Sequence, residues 1–205
     1  MASYTTLAKE AHAEQIIEKS RFLAHARPVN SKEDAEGFIA EIKAKYKDAT
    51  HNVPCYIIGQ KQELVWASDA GEPQGTSGPP VVQMLAKEGL TNLCVVVTRY
   101  FGGTKLGTGG LVRAYTSSAK LAIEAAGLHQ VKNMVSFRFH MAYNLLASLQ
   151  SCEKGGKFVI ENIDYADKLC IKISFEEEKE KEISDMLANL GCGNIKVFER
   201  TAEQR

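Results

Sequence analysis

Residues 99–115 read RYFGGTKLGTGGLVRAY, and the reading of the fold starts from what flanks them. Before them stands Leu93-Cys94-Val95-Val96-Val97, an apolar run of the kind a buried strand needs. Within them, Gly102, Gly103, Gly107, Gly109 and Gly110 fall inside nine positions. After them, Leu111, Val112, Tyr115, Ala119, Ala122, Ile123 and Ala126 recur at three- and four-residue steps, which predicts a helix over 108–126. The expected order is strand, glycine-rich loop, helix. The first amides of a helix lack intrahelical acceptors and favour an anion. Arg99, Lys105, Arg113 and Lys120 lie between Glu88 and Glu124 with no acid among them. Phosphate is therefore the first candidate ligand, held by Arg99, Lys105, Arg113 and Lys120 beside the amides of Thr108, Gly109 and Gly110. The spacing fits neither G-x-x-x-x-G-K-[ST] nor G-x-G-x-x-G, so it implies no cofactor.

Bulk composition narrows the class. The chain has 205 residues, 44% hydrophobic and 24% charged, with a formal net charge of zero. That suits an ordinary folded protein with no global pull toward nucleic acid or membrane. No apolar run reaches the ~20 residues of a membrane span, and the N-terminus lacks a signal pattern. A cytoplasmic location is expected. Five scattered cysteines with no C-x-x-C suggest neither a disulfide framework nor a metal site.

Working outward, residues 16–21 and 22–29 read as a strand pair broken at Glu18-Lys19-Ser20. Ser31 precedes Asp34 in a capping-box-like start, and the apolar steps that follow predict a helix over 32–47. Residues 53–59 and 64–67 read as two strands. Ser68 to Pro80 (SDAGEPQGTSGPP) is too rich in glycine and proline for regular structure. A helix over 81–87 follows, beginning as early as Thr76. A second unit restarts near Asn133, with strands over 135–140, 157–163, 168–175 and 195–200. Its helices are expected over 141–153 and 176–190. The fold class is α+β in two domains, 1–133 and 134–205, the second with the ferredoxin-like βαββαβ order.

Four segments carry a close resemblance to the YigZ/IMPACT family: KSRF (Lys19 to Phe22), THN (Thr50 to Asn52), SD-x-GEP-x-GT-x-G (Ser68 to Gly78) and TRYFGG-x-KLG-x-GGLVRAY (Thr98 to Tyr115). They cover the N-terminal two-thirds, and the C-terminal unit looks like the appended domain of bacterial members. The resemblance implies a first domain similar to the second domain of a small-subunit ribosomal protein, and a second similar to domain V of elongation factor G. Both relatives contact ribosomal RNA, so RNA or the ribosome is the implied partner. A protein partner in translation is the alternative, since eukaryotic IMPACT regulates translation through one. Two departures stand out. Ala70 replaces a second Asp found in many members, and Pro79 stands where many have a basic residue.

The motif residues His51, Asp69, Gly71, Glu72, Pro73, Gly75, Thr76, Gly78, Tyr100, Gly102, Gly103 and Gly107 form a loop cluster. Asp69 or Glu72 is expected within ion-pair reach of Arg99, Lys105 or Arg113, which would pin one loop to the other. Of Tyr100 and Phe101, at least one is expected in the core, because neighbours on a strand point opposite ways. His51, Asp69 and Glu72 are too few for a catalytic or metal-ligand set, and none is assigned. Beside RNA binding stand two alternatives, a small-molecule hydrolase or transferase using the cleft between the glycine-rich loops and a protein-interaction module.

Overall fold

The computed structural model describes residues 3–204 and divides them into two compact units, one reaching to Gln130 and one beginning at Val131. The division falls after Gln130, three residues ahead of the expected boundary after Asn133. The first unit contains β1 (Tyr4–Leu7), β2 (Ala11–Ile17), β3 (Ser20–Pro28), α1 (Lys32–Lys45), β4 (His51–Ile58), β5 (Leu64–Ala67), α2 (Gly78–Lys87), β6 (Leu93–Tyr100) and α3 (Gly107–Ala126). β7 (Leu128–Val131) pairs with β1 in a two-stranded sheet.

β6 is the middle of a five-stranded sheet, ordered β2-β3-β6-β4-β5, and every pairing in it is antiparallel. The apolar run of β6 is buried on both faces. Leu93, Val95 and Val97 join the core under α2 and α3, while Cys94 and Val96 join the core under α1. That double burial is why the strand reads as a continuous run rather than an alternation. α1 starts as its sequence predicts, with Ser31 Oγ accepting from the Asp34 amide. α2 begins at Gly78 with Pro79 and Pro80 in its first turn, where a missing N–H loses no helical bond.

Several boundaries differ from expectation. The first hairpin strand is Ala11–Ile17, not 16–21, and its turn is Glu18-Lys19, both at positive φ (46° and 63°). Such a two-residue turn matches the twist of the strands it joins. β6 continues three residues past Val97, so Thr98, Arg99 and Tyr100 are paired strand residues. β1 and β7 were not expected.

The second unit contains β8 (Asn133–Met141), α4 (Leu146–Glu153), β9 (Val159–Tyr165), β10 (Leu169–Glu176), α5 (Glu180–Leu190) and β11 (Val197–Gln204). Its sheet order is β11-β8-β10-β9, again antiparallel throughout. Val135, Phe137 and Phe139 of β8 and Ile171, Ile173 and Phe175 of β10 alternate onto one face, where Leu149, Ile183 and Leu187 cover them. Glu177–Lys179 forms a single 3₁₀ turn ahead of α5. The last strand starts at Val197, not Ile195, and every residue of it is exposed.

Candidate functional site

The end of β6 sets Arg99 across from His51 on β4 and Phe22 on β3. Arg99 is 5% exposed. Its Nη1 donates to Glu72 Oε1 at 2.7 Å, and its Nη2 donates to Ser20 Oγ at 3.3 Å. Its guanidinium lies between the rings of Phe22 and Phe101, at 5.5 and 5.4 Å from their centres. The buried Nε has no partner among the described residues. Tyr115, fully buried on α3, donates its hydroxyl to the same Glu72 oxygen at 2.7 Å. Burial first, and then the carboxylate beside it, push that hydroxyl well above the usual tyrosine range. The Nε2 of His51 stands 3.9 Å from Glu72 Oε1, and its Nδ1 is 3.0 Å from the Ala70 carbonyl. Glu72 therefore ties β4, β6, α3 and the glycine-rich loop together, as an ion pair that water barely reaches. A site of this kind is held mainly by mutual dependence, since each partner is expensive to bury alone.

Asp69 does different work. Oδ2 accepts from the Gly75 amide at 2.7 Å, and Oδ1 accepts from Ser77 Oγ, the Ser77 amide and the Gly78 amide. Burial opposes its ionisation, but these donors outweigh burial and hold its carboxyl below the ordinary aspartate value. It caps α2 and closes the loop. Thr76 Oγ1 donates to the Pro73 carbonyl at 2.6 Å. Gly71, at φ 90°, lies where a Cβ would press on the His51 ring. Gly102 has no room for a Cβ, because the Lys19 carbonyl of the β2–β3 turn occupies that space. Its amide donates to Ser20 Oγ at 3.2 Å. The Lys19 to Phe22 motif is thus built against the second glycine-rich stretch.

The cations expected on phosphate separate. Arg99 is inside, on Glu72. Lys105 and Arg113 are exposed and line one open groove of about 490 Å³, together with Gly110, Ser117 and Glu18. Thr108, Gly109 and Gly110 open α3 beside it. The helix start has no acid in its own first turn and no side-chain cap, so within the helix nothing offsets its positive end. Glu18 is the carboxylate that the groove wall brings to it. Gln15 Nε2 donates to Ser117 Oγ and Ser118 Oγ at 2.8 and 2.7 Å, fixing α3 against β2. Lys120 does not line the groove and pairs with Glu88 at 3.1 Å. Tyr100 is half-buried and donates to Asp48 at 3.0 Å. Phe101 is 47% exposed, so neither aromatic is core and the buried ring at this place is Phe22. Gly103 and Gly107 bend the loop at positive φ.

Sequence reasoning missed Ser20, Tyr115 and Glu18 as participants. Ser20 lies inside a motif already singled out, and Tyr115 closes another, so both had a signal. Glu18 had none, because only the hairpin turn brings it to the groove.

Comparison with known proteins places these residues in one family. The Impact N-terminal domain family model matches residues 18–123. An IMPACT family member of Bacillus subtilis (strain 168), YvyE, is 35% identical over 96% of this chain and 91% of its own. YigZ of Escherichia coli (strain K12) is 29% identical over 89% of this chain and 90% of its own. A crystal structure of a hypothetical protein, 28% identical, superposes with a TM-score of 0.62 over 96% of this chain and 97% of that one.

Proposed function

The chain belongs to the IMPACT family, and from that premise we propose that it is a cytoplasmic protein that associates with RNA or the ribosome and modulates translation. The observation that carries this reading is the groove at the start of α3. Lys105 and Arg113 line it beside amides that no acid of the helix's first turn and no side chain cap, two cations against the single carboxylate of Glu18. Phosphate oxygens suit both features, because a guanidinium forks onto two of them and the amides add partial positive charge. The β11-β8-β10-β9 order of the second unit supports a ferredoxin-like comparison, and with it the likeness to domain V of elongation factor G. The ribosomal-protein domain that the family resemblance implies for the first unit points to the same partner. Both are analogies of fold and add to the groove without replacing it. The donors on both oxygens of Asp69 and on Oε1 of Glu72 leave the hydrolase alternative with less support than the RNA reading.

The test is fluorescence anisotropy with a labelled single-stranded RNA at several salt concentrations. Each lost phosphate contact on a single strand lowers the slope of log K against log salt by about 0.7. Lys105→Ala with Arg113→Ala should therefore lower it by about 1.4, while stability moves by less than about 0.5 kcal/mol because both groups are exposed. An unchanged slope removes the groove from the reading. No binding by the wild type at low salt overturns RNA as the partner and turns attention to a protein partner docking on the glycine-rich loops.

A further inference from the structure

The second unit holds a pocket of its own at one end of its sheet. Its volume is about 480 Å³, within the ~300–1,000 Å³ common for small-ligand sites. His140, Asn144, Lys168, Asn194, Lys196 and Phe198 supply its chemistry, and Met141 and Ile195 add apolar surface. No carboxylate lines it. Glu176 lies toward the other end of the sheet, opposite Met134 in the register while Leu169 stands opposite Met141. Asp164 and Asp167, at the turn ahead of Lys168, are at this end but do not line the pocket.

Three observations distinguish the pocket from an ordinary solvated rim. First, its lysines are free. Lys132, Arg138, Lys157, Lys172, Lys179 and Arg200 of this unit all have carboxylate partners. Among the described residues, Lys168 and Lys196 have none. Lys154 and Lys181 share that but do not line the pocket, so what marks Lys168 and Lys196 is that both face one cavity. Second, an aromatic platform is exposed beside them. Phe198 stacks on His140 with ring centres 4.8 Å apart and planes 26° apart, yet is 53% exposed. Third, the rim is built rather than loose. α5 ends in a closed turn, with the Gly191, Cys192 and Gly193 amides donating to Leu187, Asn189 and Ala188 carbonyls. The Asn194 amide then donates to the Gly191 carbonyl. On the opposite rim, Tyr143 donates to the Ala166 carbonyl at 2.6 Å and anchors the turn that carries Lys168.

We propose that this pocket binds a nucleotide, with Lys168 and Lys196 on the phosphate and the base stacked on Phe198. Two unpaired ammonium groups satisfy a phosphate dianion. An exposed ring accepts any base by its π-face. The side-chain amides of Asn144 and Asn194 offer both a donor and an acceptor to base or ribose. The site lies in the second unit, so its test is independent of the groove on the first.

The experiment is an amide NMR titration of the full chain with adenosine 5′-monophosphate, with adenosine and inorganic phosphate as separate arms. Saturable shifts are expected at Lys168, Asn194, Lys196 and Phe198. Binding of the monophosphate should be about tenfold tighter than binding of either fragment. Lys168→Ala with Lys196→Ala should remove that tenfold advantage and leave adenosine unchanged. Phe198→Ser should weaken adenosine and the monophosphate alike. Lys105→Ala with Arg113→Ala should change nothing here. A 5′-phosphorylated oligoadenylate separates the two sources of the same chemistry: much tighter binding than the monophosphate identifies an RNA end, and equal binding a free nucleotide. Absence of saturable shifts at these amides, or equal affinity for inorganic phosphate and the monophosphate, overturns the proposal.

Discussion

Arg99 and Arg113 belong to one glycine-rich stretch, yet Arg99 is 5% exposed with its charge on Glu72, while Arg113 is exposed on the wall of a groove. The strand decides the first fate. β6 runs on through Arg99, so that side chain must enter the protein and needs a buried carboxylate. The helix decides the second, because Arg113 lies on the polar side of α3, away from the buried stripe of Leu111, Ala114, Tyr115 and Ser118. Two arginines of the same motif thus serve opposite purposes, one holding the loops together and the other facing solvent where a ligand can reach it. Identity of residue type within a motif is no guide to role; the element that carries the residue is.

The sharpest way to break this comparison is Glu72→Ala. It leaves the Arg99 cation and the Tyr115 hydroxyl buried without their acceptor, and removing one partner of a buried pair costs about 3–5 kcal/mol. Urea unfolding should show that loss. Glu72→Leu combined with Arg99→Met should recover much of it, since neither charge is then stranded. A loss below about 1 kcal/mol for Glu72→Ala would mean that Arg99 finds water or another acceptor, and the inside–outside contrast would fail.

A second test compares Arg99 with a buried base that has no ion-pair partner. His25 is 5% exposed, its Nε2 has no hydrogen-bond partner among the described residues, and its ring neighbours are His12 and Tyr46. Burial, with Lys45 and His12 adding to it, lowers its pKa from the ordinary 6.5 to about 4. The unfolded chain therefore takes up this proton first as the pH falls. The stability owed to neutral His25 is whole above pH 6.5 and is lost between 6.5 and 4, by about 3 kcal/mol. His25→Phe keeps a ring in place and removes the titration, so its stability should fall less across that window. Parallel pH curves for the two proteins would refute the assignment.

Gly102→Ala probes how closely the two motifs are fitted. Its Cβ would overlap the Lys19 carbonyl, and forced overpacking costs about 1–3 kcal/mol. Calorimetry should show the lowered Tm. No change would mean that the β2–β3 turn moves aside freely, and the loop at Ser20 and Gly102 would then be less fixed than its hydrogen bonds imply.

The strand, loop and helix around residues 93–126 were legible because each has its own local signal: an apolar run, clustered glycines, and a helical period. The βαββαβ order was legible for the same reason. What sequence could not supply was adjacency. β1 and β7 are four residues each, and β7 is largely exposed, so neither carries a pattern strong enough to read. The antiparallel order of the first sheet depends on pairings between distant segments. The charge run from Arg99 to Lys120 contains no acid along the chain, yet folding brings Glu72 to Arg99, Glu88 to Lys120 and Glu18 to the groove. A linear run of charge is not a surface, and only two of its four cations remain in the groove.

Lys120 provides the smallest effect and the finest discrimination. Sequence places it on the same helical face as Arg113, and the structure gives it to Glu88 at 3.1 Å, with both side chains well exposed. An exposed pair of this kind contributes about 0–1 kcal/mol, so Lys120→Ala should barely move the Tm. Its effect on RNA binding decides how far the interface runs along α3. If the path ends at the groove, Lys120→Ala should change the salt slope by much less than the 0.7 of a full single-strand contact. Glu88→Gln gives the converse measurement, because it releases Lys120 without removing it. A slope that rises by about 0.7 in Glu88→Gln and falls again in Glu88→Gln with Lys120→Ala would extend the interface two turns beyond Arg113. A slope unchanged in all three variants confines phosphate contact to Lys105, Arg113 and the amides between them.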